Sequence, residues 1–273
     1  MFNKTQNVAE TNSRVDEKKL LKKIERGFKN QEFKMYLQFI VDNTKKIVSA
    51  ETLSRWESAD GNVIFPGAYI WLMEKSGMIT TFDYYMFDMV CRKLSEWKDT
   101  EFGDITIGCN FTRITISEKE FLTKIQAIAD KYDFDRQKLS FEITEDSTEK
   151  NLVDAMYNII KVKEMGFRVS LDDFGSGYTS LIGLCEYPVD VVKIDREVLL
   201  LTETEKGKKL FRGIVSLAHS LNLKVVCEGV ETEEQNRLVI ECGCDYIQGW
   251  YYSKAQSETH AEHFFKEYAL NLA

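Results

Sequence analysis

The sequence predicts an α/β fold, a TIM-like (β/α)8 barrel with an antiparallel first strand pair. Two strand-like runs, Phe33 to Val41 and Ile47 to Trp56, flank a short polar turn at residues 42–45, which favours an antiparallel start. Six further short apolar runs recur along the chain with helical patterns between most of them, as is typical of βα units. These eight strands are enough to close a barrel.

Length and composition favour one large domain. The chain has 273 residues and only two prolines, and no Ser/Gly-rich tract marks a linker. We expect a disordered polar segment at residues 1–14 and a single barrel domain at residues 15–273. The formal charge of −8 argues against nucleic acid as a partner. Because the sequence shows neither an apolar run that would span a membrane nor a signal peptide, we expect a cytoplasmic protein.

The elements follow in order from Asp16, where an amphipathic helix begins before the two opening strands. A helix over residues 68–75 ends at Gly77, and a longer helix covers residues 82–97. The later strands are predicted at Ile105–Ile107, Leu139–Phe141, Phe167–Leu171, Val189–Val192, Leu223–Cys227 and Tyr246–Ile247, with helices near residues 119–132, 150–165, 205–221 and 232–242.

A polar residue follows each of these six strands. In chain order they are Asn110, Glu142, Asp172, Lys193, Glu228 and Gln248. Each alone is explained as well by a helix cap or a loop residue. The active site of a barrel lies at the carboxyl ends of its strands, so six residues in phase predict a shared site there.

The adjacent carboxylates Asp172 and Asp173 end a strand and precede a glycine-containing loop. One interpretation is a polar turn, in which Asp bonds its own backbone and Gly supplies a positive φ. The other is the floor of a two-metal site, because successive strand side chains diverge and one carboxylate can bridge two ions.

The candidate metal ligands all offer oxygen, and oxygen sites favour Mg²⁺ or Mn²⁺ over zinc. They are Glu51, Asn110, Glu142, Asp172 and Asp173. Glu228 and Lys193 are then the candidates to activate or hold the attacking water, since His260 and His263 have the pattern of exposed helix residues. The six cysteines are predicted to be mostly buried thiols; a redox or metal role for Cys242 and Cys244 is the alternative.

The ordered motifs resemble the EAL-domain cyclic di-GMP phosphodiesterases from about Leu20 to Ser257. The motifs are Glu51-Thr52-Leu53-Ser54-Arg55-Trp56, Asn110-Phe111-Thr112, Glu142-Ile143-Thr144-Glu145, Asp172-Asp173-Phe174-Gly175, Lys193-Ile194-Asp195, Glu228-Gly229-Val230-Glu231 and Gln248-Gly249-Trp250. Each tripeptide is weak evidence, but the ordered set is specific.

The resemblance implies hydrolysis of cyclic di-GMP to linear pGpG with two Mg²⁺ or Mn²⁺ ions. It implies one ion on Glu51, Asn110, Glu142 and Asp172, and a second on Asp172 and Asp173. It also implies that Lys193 positions the water, that Glu228 is a base or ligand, and that Glu145 braces the loop after Asp172. The implied substrate-binding residues are Gln38, Leu53, Arg55, Asp195 and Gln248.

The chain departs from the family pattern at four positions. Thr52 replaces the usual Ala, Leu37 and Phe39 replace the tyrosine and proline of a Tyr-Gln-Pro element, and Ala255 replaces another proline. None removes a ligand, so we expect tuned activity and an altered rim for the guanine bases.

Two other functions stay open at this point. One is a catalytically weak or inactive EAL domain that acts as a cyclic di-GMP receptor or protein-interaction module. The other is a different phosphoesterase built on the same metals. The resemblance further implies a homodimer through residues 179–185 and the segment after Asp195, although core burial explains the apolar residues there equally well. We expect no sensory domain in the remaining residues, so regulation is expected to come from expression, from a protein partner or from the short N-terminal segment.

Overall fold

A computed structural model describes residues 2–144, 152–176 and 183–272 of the chain. This part contains ten strands: β1 (Phe33–Asp42), β2 (Ile47–Glu57), β3 (Val63–Ile64), β4 (Thr106–Phe111), β5 (Leu139–Thr144), β6 (Arg168–Phe174), β7 (Val191–Ile194), β8 (Lys224–Cys227), β9 (Tyr246–Gln248) and β10 (Gln256–Ser257). Its α-helices are α1 (Phe2–Lys29), α2 (Ile70–Ser76), α3 (Ile79–Trp97), α4 (Arg113–Ile116), α5 (Phe121–Ala129), α6 (Leu152–Glu164), α7 (Gly183–Glu186), α8 (Arg196–Leu200), α9 (Glu205–Ser220), α10 (Glu233–Glu241) and α11 (Glu258–Leu272).

Eight of the strands close a barrel, which confirms the predicted fold class. β1 pairs antiparallel with both β2 and β9. The remaining neighbours, from β2 through β4, β5, β6, β7 and β8 to β9, are parallel. The two-residue strands β3 and β10 extend the sheet beside β2 and β1. All carboxyl ends of the parallel strands therefore meet at one end of the barrel.

The turn between β1 and β2 forms where the sequence predicts it. Asp42 Oδ1 accepts hydrogen bonds from the backbone nitrogen and the hydroxyl of Thr44, at 2.8 and 2.6 Å, and from Lys46 N at 3.0 Å. Lys45 adopts a left-handed φ of 71°. An aspartate that bonds the backbone ahead of it stabilises such a turn, so the local sequence fixes the hairpin.

The N-terminal helix is longer than the sequence predicts. α1 begins at Phe2 and thus includes the polar residues 1–14, apart from Met1, for which we expected disorder. Nothing in residues 2–26 opposes helix extension, because this stretch has neither proline nor glycine. The predicted amphipathic half is confirmed, since Ile24 is fully buried and Phe28 packs against the core. The division into domains at residue 15 stays a prediction.

The apolar core lies between the barrel strands and the surrounding helices. Phe111 of β4 and Phe141 of β5 stack with ring centroids 4.7 Å apart, and Phe87 of α3 lies 5.5 Å from the Phe141 ring. All three side chains are buried. Because alternate strand residues face opposite sides, the strand residues that flank Phe111 and Phe141 in sequence face the inside of the barrel.

The cysteine and histidine predictions are confirmed with one exception. Cys185 is exposed, whereas the other five cysteines are buried, and all six are free thiols. His260 and His263 are exposed on α11. Within the described residues, no helix combines the length and the apolar character needed to cross a membrane.

Candidate metal and active site

The predicted site residues converge at the carboxyl end of the barrel. β2 carries Glu51, β4 carries Asn110, β5 carries Glu142, β6 carries Asp172 and Asp173, β7 carries Lys193 and β9 carries Gln248, while Glu228 follows the last residue of β8. The strand register places Asn110 beside Glu142, and Thr144 beside Asp172. The six polar residues that follow the strands therefore form one site rather than six separate caps.

The Lys193 ammonium group lies at the centre of this site and is 1% exposed. Its Nζ lies 3.2 Å from Glu51 Oε2, 3.3 Å from Glu142 Oε2, 2.9 Å from Asp172 Oδ1 and 2.8 Å from Glu228 Oε1. Four carboxylates thus face one ammonium, which leaves three negative charges without a partner when all are ionised. A buried excess of charge is costly unless cations compensate it.

Amide side chains fix the orientation of Glu51. Gln248 Nε2 donates to Glu51 Oε2 at 2.7 Å, and Asn110 Nδ2 donates to Glu51 Oε1 at 3.1 Å. Gln38 Nε2 in turn donates to the Ser253 carbonyl at 3.1 Å. Both glutamines are buried, so their roles in this structure are to position Glu51 and the loop after β9.

Gly108 makes room for Glu142. A Cβ added at Gly108 would overlap the Glu142 carboxylate, which therefore lies directly against the β4 backbone. The neighbouring Thr52 hydroxyl donates to the Gly108 carbonyl at 2.7 Å. The Thr52 departure thus has a structural role, because it links β2 to the backbone segment that accommodates Glu142.

Asp173 breaks the strand alternation from which we expected diverging carboxylates. Its φ is 55°, in the left-handed region, and the β6–β7 register shifts between Leu171 and Phe174. Carboxylate oxygens of Asp172, Asp173 and Glu228 consequently lie within 4.8 Å of one another. A non-glycine residue in this conformation carries strain, and such residues cluster at functional sites.

Two overlapping groups of carboxylates in the described residues could hold metal ions. Glu51, Glu142 and Asp172 form one group of oxygens within 4.8 Å, and Asp172 with Asp173 and Glu228 forms a second, so Asp172 is shared. Among the described residues, Asp172 Oδ1 and Glu228 Oε1 are buried and accept no well-formed hydrogen bond despite their proximity to Lys193. Oxygen ligands with free lone pairs and excess negative charge suit Mg²⁺ or Mn²⁺.

The carboxylates of the site differ in the direction in which their pKa values are shifted. Burial raises the pKa of Glu142 well above its usual range, and raises that of Glu228 to about 8, in both cases against the attraction of Lys193. Glu51 has a lowered pKa, because Lys193 and the bonds from Gln248 and Asn110 outweigh its burial. Desolvation of the Asp173 carboxylate, followed by repulsion from Asp172, raises its pKa to about 6, although part of the side chain reaches solvent. Cations bound beside these groups favour their ionised forms.

The remaining predicted residues lie around this centre or outside the described part. Arg55 stacks on the Phe65 ring at 4.5 Å and donates to the Ser54 carbonyl at 2.8 Å. Asp195 caps α8 by accepting from Glu197 N at 2.7 Å. Leu53 is half-buried on β2. Substrate contacts of these residues stay predictions, as does the bracing role of Glu145, which lies outside the described residues.

One supporting residue escaped the sequence analysis. Asp83 of α3 is buried and accepts hydrogen bonds from Thr112 N at 3.0 Å, the Thr112 hydroxyl at 2.7 Å and the Thr115 hydroxyl at 2.5 Å. It thereby anchors the turn that follows Asn110. The signal was an acid between the aromatic residues Phe82 and Tyr84 of α3, but its hydrogen-bond partners lie about thirty residues away in sequence.

The fold and site together define a barrel protein with a carboxylate-rich centre at its strand ends that could hold metal ions. Comparison with known proteins assigns it further. The EAL domain family matches residues 21–255, so the chain belongs to that family. The signaling protein YkoW of Bacillus subtilis is 31% identical over 224 residues, which cover 82% of this chain and 28% of YkoW. The cyclic di-GMP phosphodiesterase RocR of Pseudomonas aeruginosa is 28% identical over 240 residues, which cover 86% of this chain and 60% of RocR.

Solved structures support the same assignment. The phosphodiesterase PaMucR in its c-di-GMP complex has a TM-score of 0.83 at 27% identity and covers 89% of this chain and 99% of that one. The EAL enzyme Bd1971, bound to cAMP and cyclic di-GMP, has a TM-score of 0.86 at 25% identity and covers 97% of this chain and 72% of that one. The chain spans less than two thirds of the length of the relatives YkoW and RocR.

Proposed function

We propose that this protein is a phosphodiesterase that hydrolyses cyclic di-GMP to linear pGpG with two Mg²⁺ or Mn²⁺ ions. The observation that carries the proposal is the pair of oxygen groups that share Asp172 around the buried Lys193. Relatives named as cyclic di-GMP phosphodiesterases, RocR and PdeR of Escherichia coli, support the substrate class. The complex of PaMucR with c-di-GMP supports a binding site of the same architecture.

The residues present divide into ligands and groups that act on water or substrate. Glu51, Asn110, Glu142 and Asp172 would hold one ion, and Asp172 and Asp173 the other. When bound, the two ions lower the pKa of water and neutralise charge on the phosphate.

Glu228 is the proton acceptor in this proposal. It follows β8 and lies beside Asp172 and Asp173, with an oxygen that accepts no well-formed hydrogen bond from the described residues. A carboxylate that has an available lone pair and is kept ionised by cations bound beside it is suited to take a proton from the attacking water.

Lys193 holds the four carboxylates together and places the attacking water among them. Its ammonium has a pKa well above the usual range, because Asp172, Glu142, Glu228 and Glu51 outweigh the effect of burial. Lys193 therefore stays charged and acts as a fixed cation rather than as an acid or base.

Arg55 holds a substrate phosphate at the rim. Its guanidinium is half-buried between the rings of Tyr36 and Phe65, at 5.6 and 4.5 Å from their centroids. Two aromatic faces restrict the side chain, so little conformational entropy remains to be lost when it binds an anion.

The proposal is tested by mixing the protein with cyclic di-GMP and following pGpG. We expect turnover with Mg²⁺ or Mn²⁺, none in excess chelator, and inhibition by Ca²⁺, since its longer bonds of about 2.3–2.6 Å displace the oxygens that the reaction aligns. Full turnover in chelator would refute the metal requirement. Cyclic di-GMP binding without turnover under any metal would instead favour the receptor function.

A homodimer and a regulatory protein partner are two further proposals. The apolar residues in and beside the predicted pairing segment are Tyr178, Leu181, Ile182, Leu184 and Tyr187. Leu184 and Tyr187 are 3% and 8% exposed and belong to the core of the monomer, and the other three lie outside the described residues. Light scattering at micromolar concentration decides between a monomer and a dimer.

A further inference from the structure

A second cavity opens at the end of the barrel opposite the metal site. It has a volume of about 710 Å³, within the range of small-molecule binding pockets. Its wall includes the hydroxyl-bearing side chains of Ser49, Thr106, Ser140 and Ser170, and it reaches the undersides of Glu142 and Lys193. TIM barrels normally fill this space with bulky branched side chains, so the small polar residues leave it open here.

The cavity interior is suited to a polar ligand. The hydroxyls of Ser140 and Ser170 are 2.7 Å apart and both residues are buried. Their contact uses one hydroxyl hydrogen, so the second hydroxyl keeps a hydrogen to donate. Ser49 donates to the Thr106 carbonyl at 2.8 Å. A cavity with such walls favours water or a hydrogen-bonding molecule over an apolar one.

The mouth of the cavity is basic although the chain as a whole is acidic. Lys138, Lys163, Arg168 and Lys224 line the mouth together with Asp104 and Asp190, while Glu142 and Lys193 line the inner end. Three of the cations have acidic partners: Lys163 Nζ lies 2.6 Å from Asp190, Lys224 Nζ lies 2.7 Å from Asp245, and Lys138 Nζ lies 3.5 Å from Asp104, whose side chain is 94% exposed.

Arg168 differs from these lysines. In the part of the chain that the structure describes, no ion pair or side-chain hydrogen bond involves it, and it is exposed as the first residue of β6. A guanidinium presents a planar pair of donors that matches phosphate geometry. Arg168 at the mouth thus offers a contact for an anion, and the serine hydroxyls on the wall of the same cavity offer several polar contacts.

We propose that this cavity is a second binding site, on the opposite side of Glu142 and Lys193 from the proposed metal ions, for a small phosphate-bearing molecule of mononucleotide size. The phosphate binds Arg168, assisted by Lys138, and the remainder of the molecule enters the hydroxyl-lined space. Binding here does not depend on the proposed hydrolysis, because no catalytic residue is required for it.

Calorimetry with AMP in excess chelator tests the site, with adenosine as the probe that lacks phosphate. We expect saturable binding of AMP, no binding of adenosine, and an affinity for AMP at least about tenfold weaker in Arg168→Ala, the loss of a charge-assisted hydrogen bond. Arg168→Lys should lose less, because it retains the charge but not the paired donors.

A matched variant serves as the control for a general loss of positive charge. Arg212→Ala removes an exposed arginine of α9 that does not line the cavity and should leave the affinity unchanged. Absence of saturable AMP binding in the millimolar range, or an AMP affinity of Arg168→Ala equal to that of Arg212→Ala, would overturn the proposal. Either result leaves the hydrolysis assay unaffected as an independent test.

Discussion

The two ends of the barrel are built from the same strands but differ in chemistry. Ser49 precedes Glu51 by two residues, Ser140 precedes Glu142, and Ser170 precedes Asp172. Each pair shares one inward face, so a hydroxyl layer lies below a carboxylate layer. The carboxylate end concentrates charge around Lys193, whereas the hydroxyl end leaves space and places its cations at the mouth.

This difference indicates that the inside of the barrel contributes chemistry and the outside contributes stability. The aromatic rings of Phe111 and Phe141 and the other apolar strand residues pack outward against the helices. Burial of apolar area is the dominant favourable term in folding. The interior is therefore free to carry a costly cluster of like charges, provided that Lys193 and bound cations compensate it.

Removal of the central cation gives the largest expected effect on the carboxylate end. Lys193→Met leaves four buried carboxylates without a counter-charge, and in chelator we expect the free energy of unfolding to fall by about 3–5 kcal/mol. Saturating Mn²⁺ should recover part of this loss, because ligands that bind only the folded state stabilise it. Urea unfolding with and without metal measures both values.

The matched control is Lys98→Met, which removes an exposed lysine 2.6 Å from Asp133. An exposed pair of this kind contributes about 0–1 kcal/mol. If Lys193→Met were no less stable than Lys98→Met in chelator, the carboxylate cluster would not depend on its central ammonium.

The second largest expected effect is the loss of metal affinity when the space at Gly108 is filled. Gly108→Ala places a Cβ where the Glu142 carboxylate lies, so that ligand must move. Displaced ligands and their supports typically change metal affinity by about 10–100-fold, which calorimetry with Mn²⁺ measures. Gly213→Ala is the control, since a Cβ there meets no atom within 4 Å and its helix should gain stability. Equal Mn²⁺ affinity in both variants would contradict the role of Gly108.

The smallest expected effect is that of Thr52→Ala. This change removes the hydroxyl bond to the Gly108 carbonyl and should lower the free energy of unfolding by about 1 kcal/mol. Turnover and metal affinity should stay within a few-fold of wild type, because no ligand changes. A loss of turnover as large as that of a ligand variant would show that the Thr52 contact controls the position of Glu142.

The site residues were predictable from sequence where a strand fixed their position. Asn110, Glu142, Asp172, Glu228 and Gln248 each follow an apolar run, and parallel pairing then brings them together. The contacts that position them were not predictable, because they join residues distant in sequence.

Two examples show the physical reason. Gln38 and Ser253 are 215 residues apart, and neither position belongs to a periodic pattern that would indicate the contact. The left-handed φ of Asp173 likewise depends on the register shift beside β7, which no local propensity encodes. The start of α1 was placed too late, because polarity alone does not distinguish an exposed helix from an unstructured segment.

We propose that the carboxylate end performs hydrolysis with Glu228 as the proton acceptor. Glu228→Gln keeps the shape of the side chain and removes its charge. The most direct measurement is paired: calorimetric affinity for cyclic di-GMP and release of pGpG, for wild type and for Glu228→Gln, with Mg²⁺ present. We expect wild type to turn over, and the variant to bind comparably while its turnover falls by roughly 10²–10⁴-fold. Equal turnover by both proteins would contradict the role of Glu228, and no turnover by either would contradict the phosphodiesterase itself.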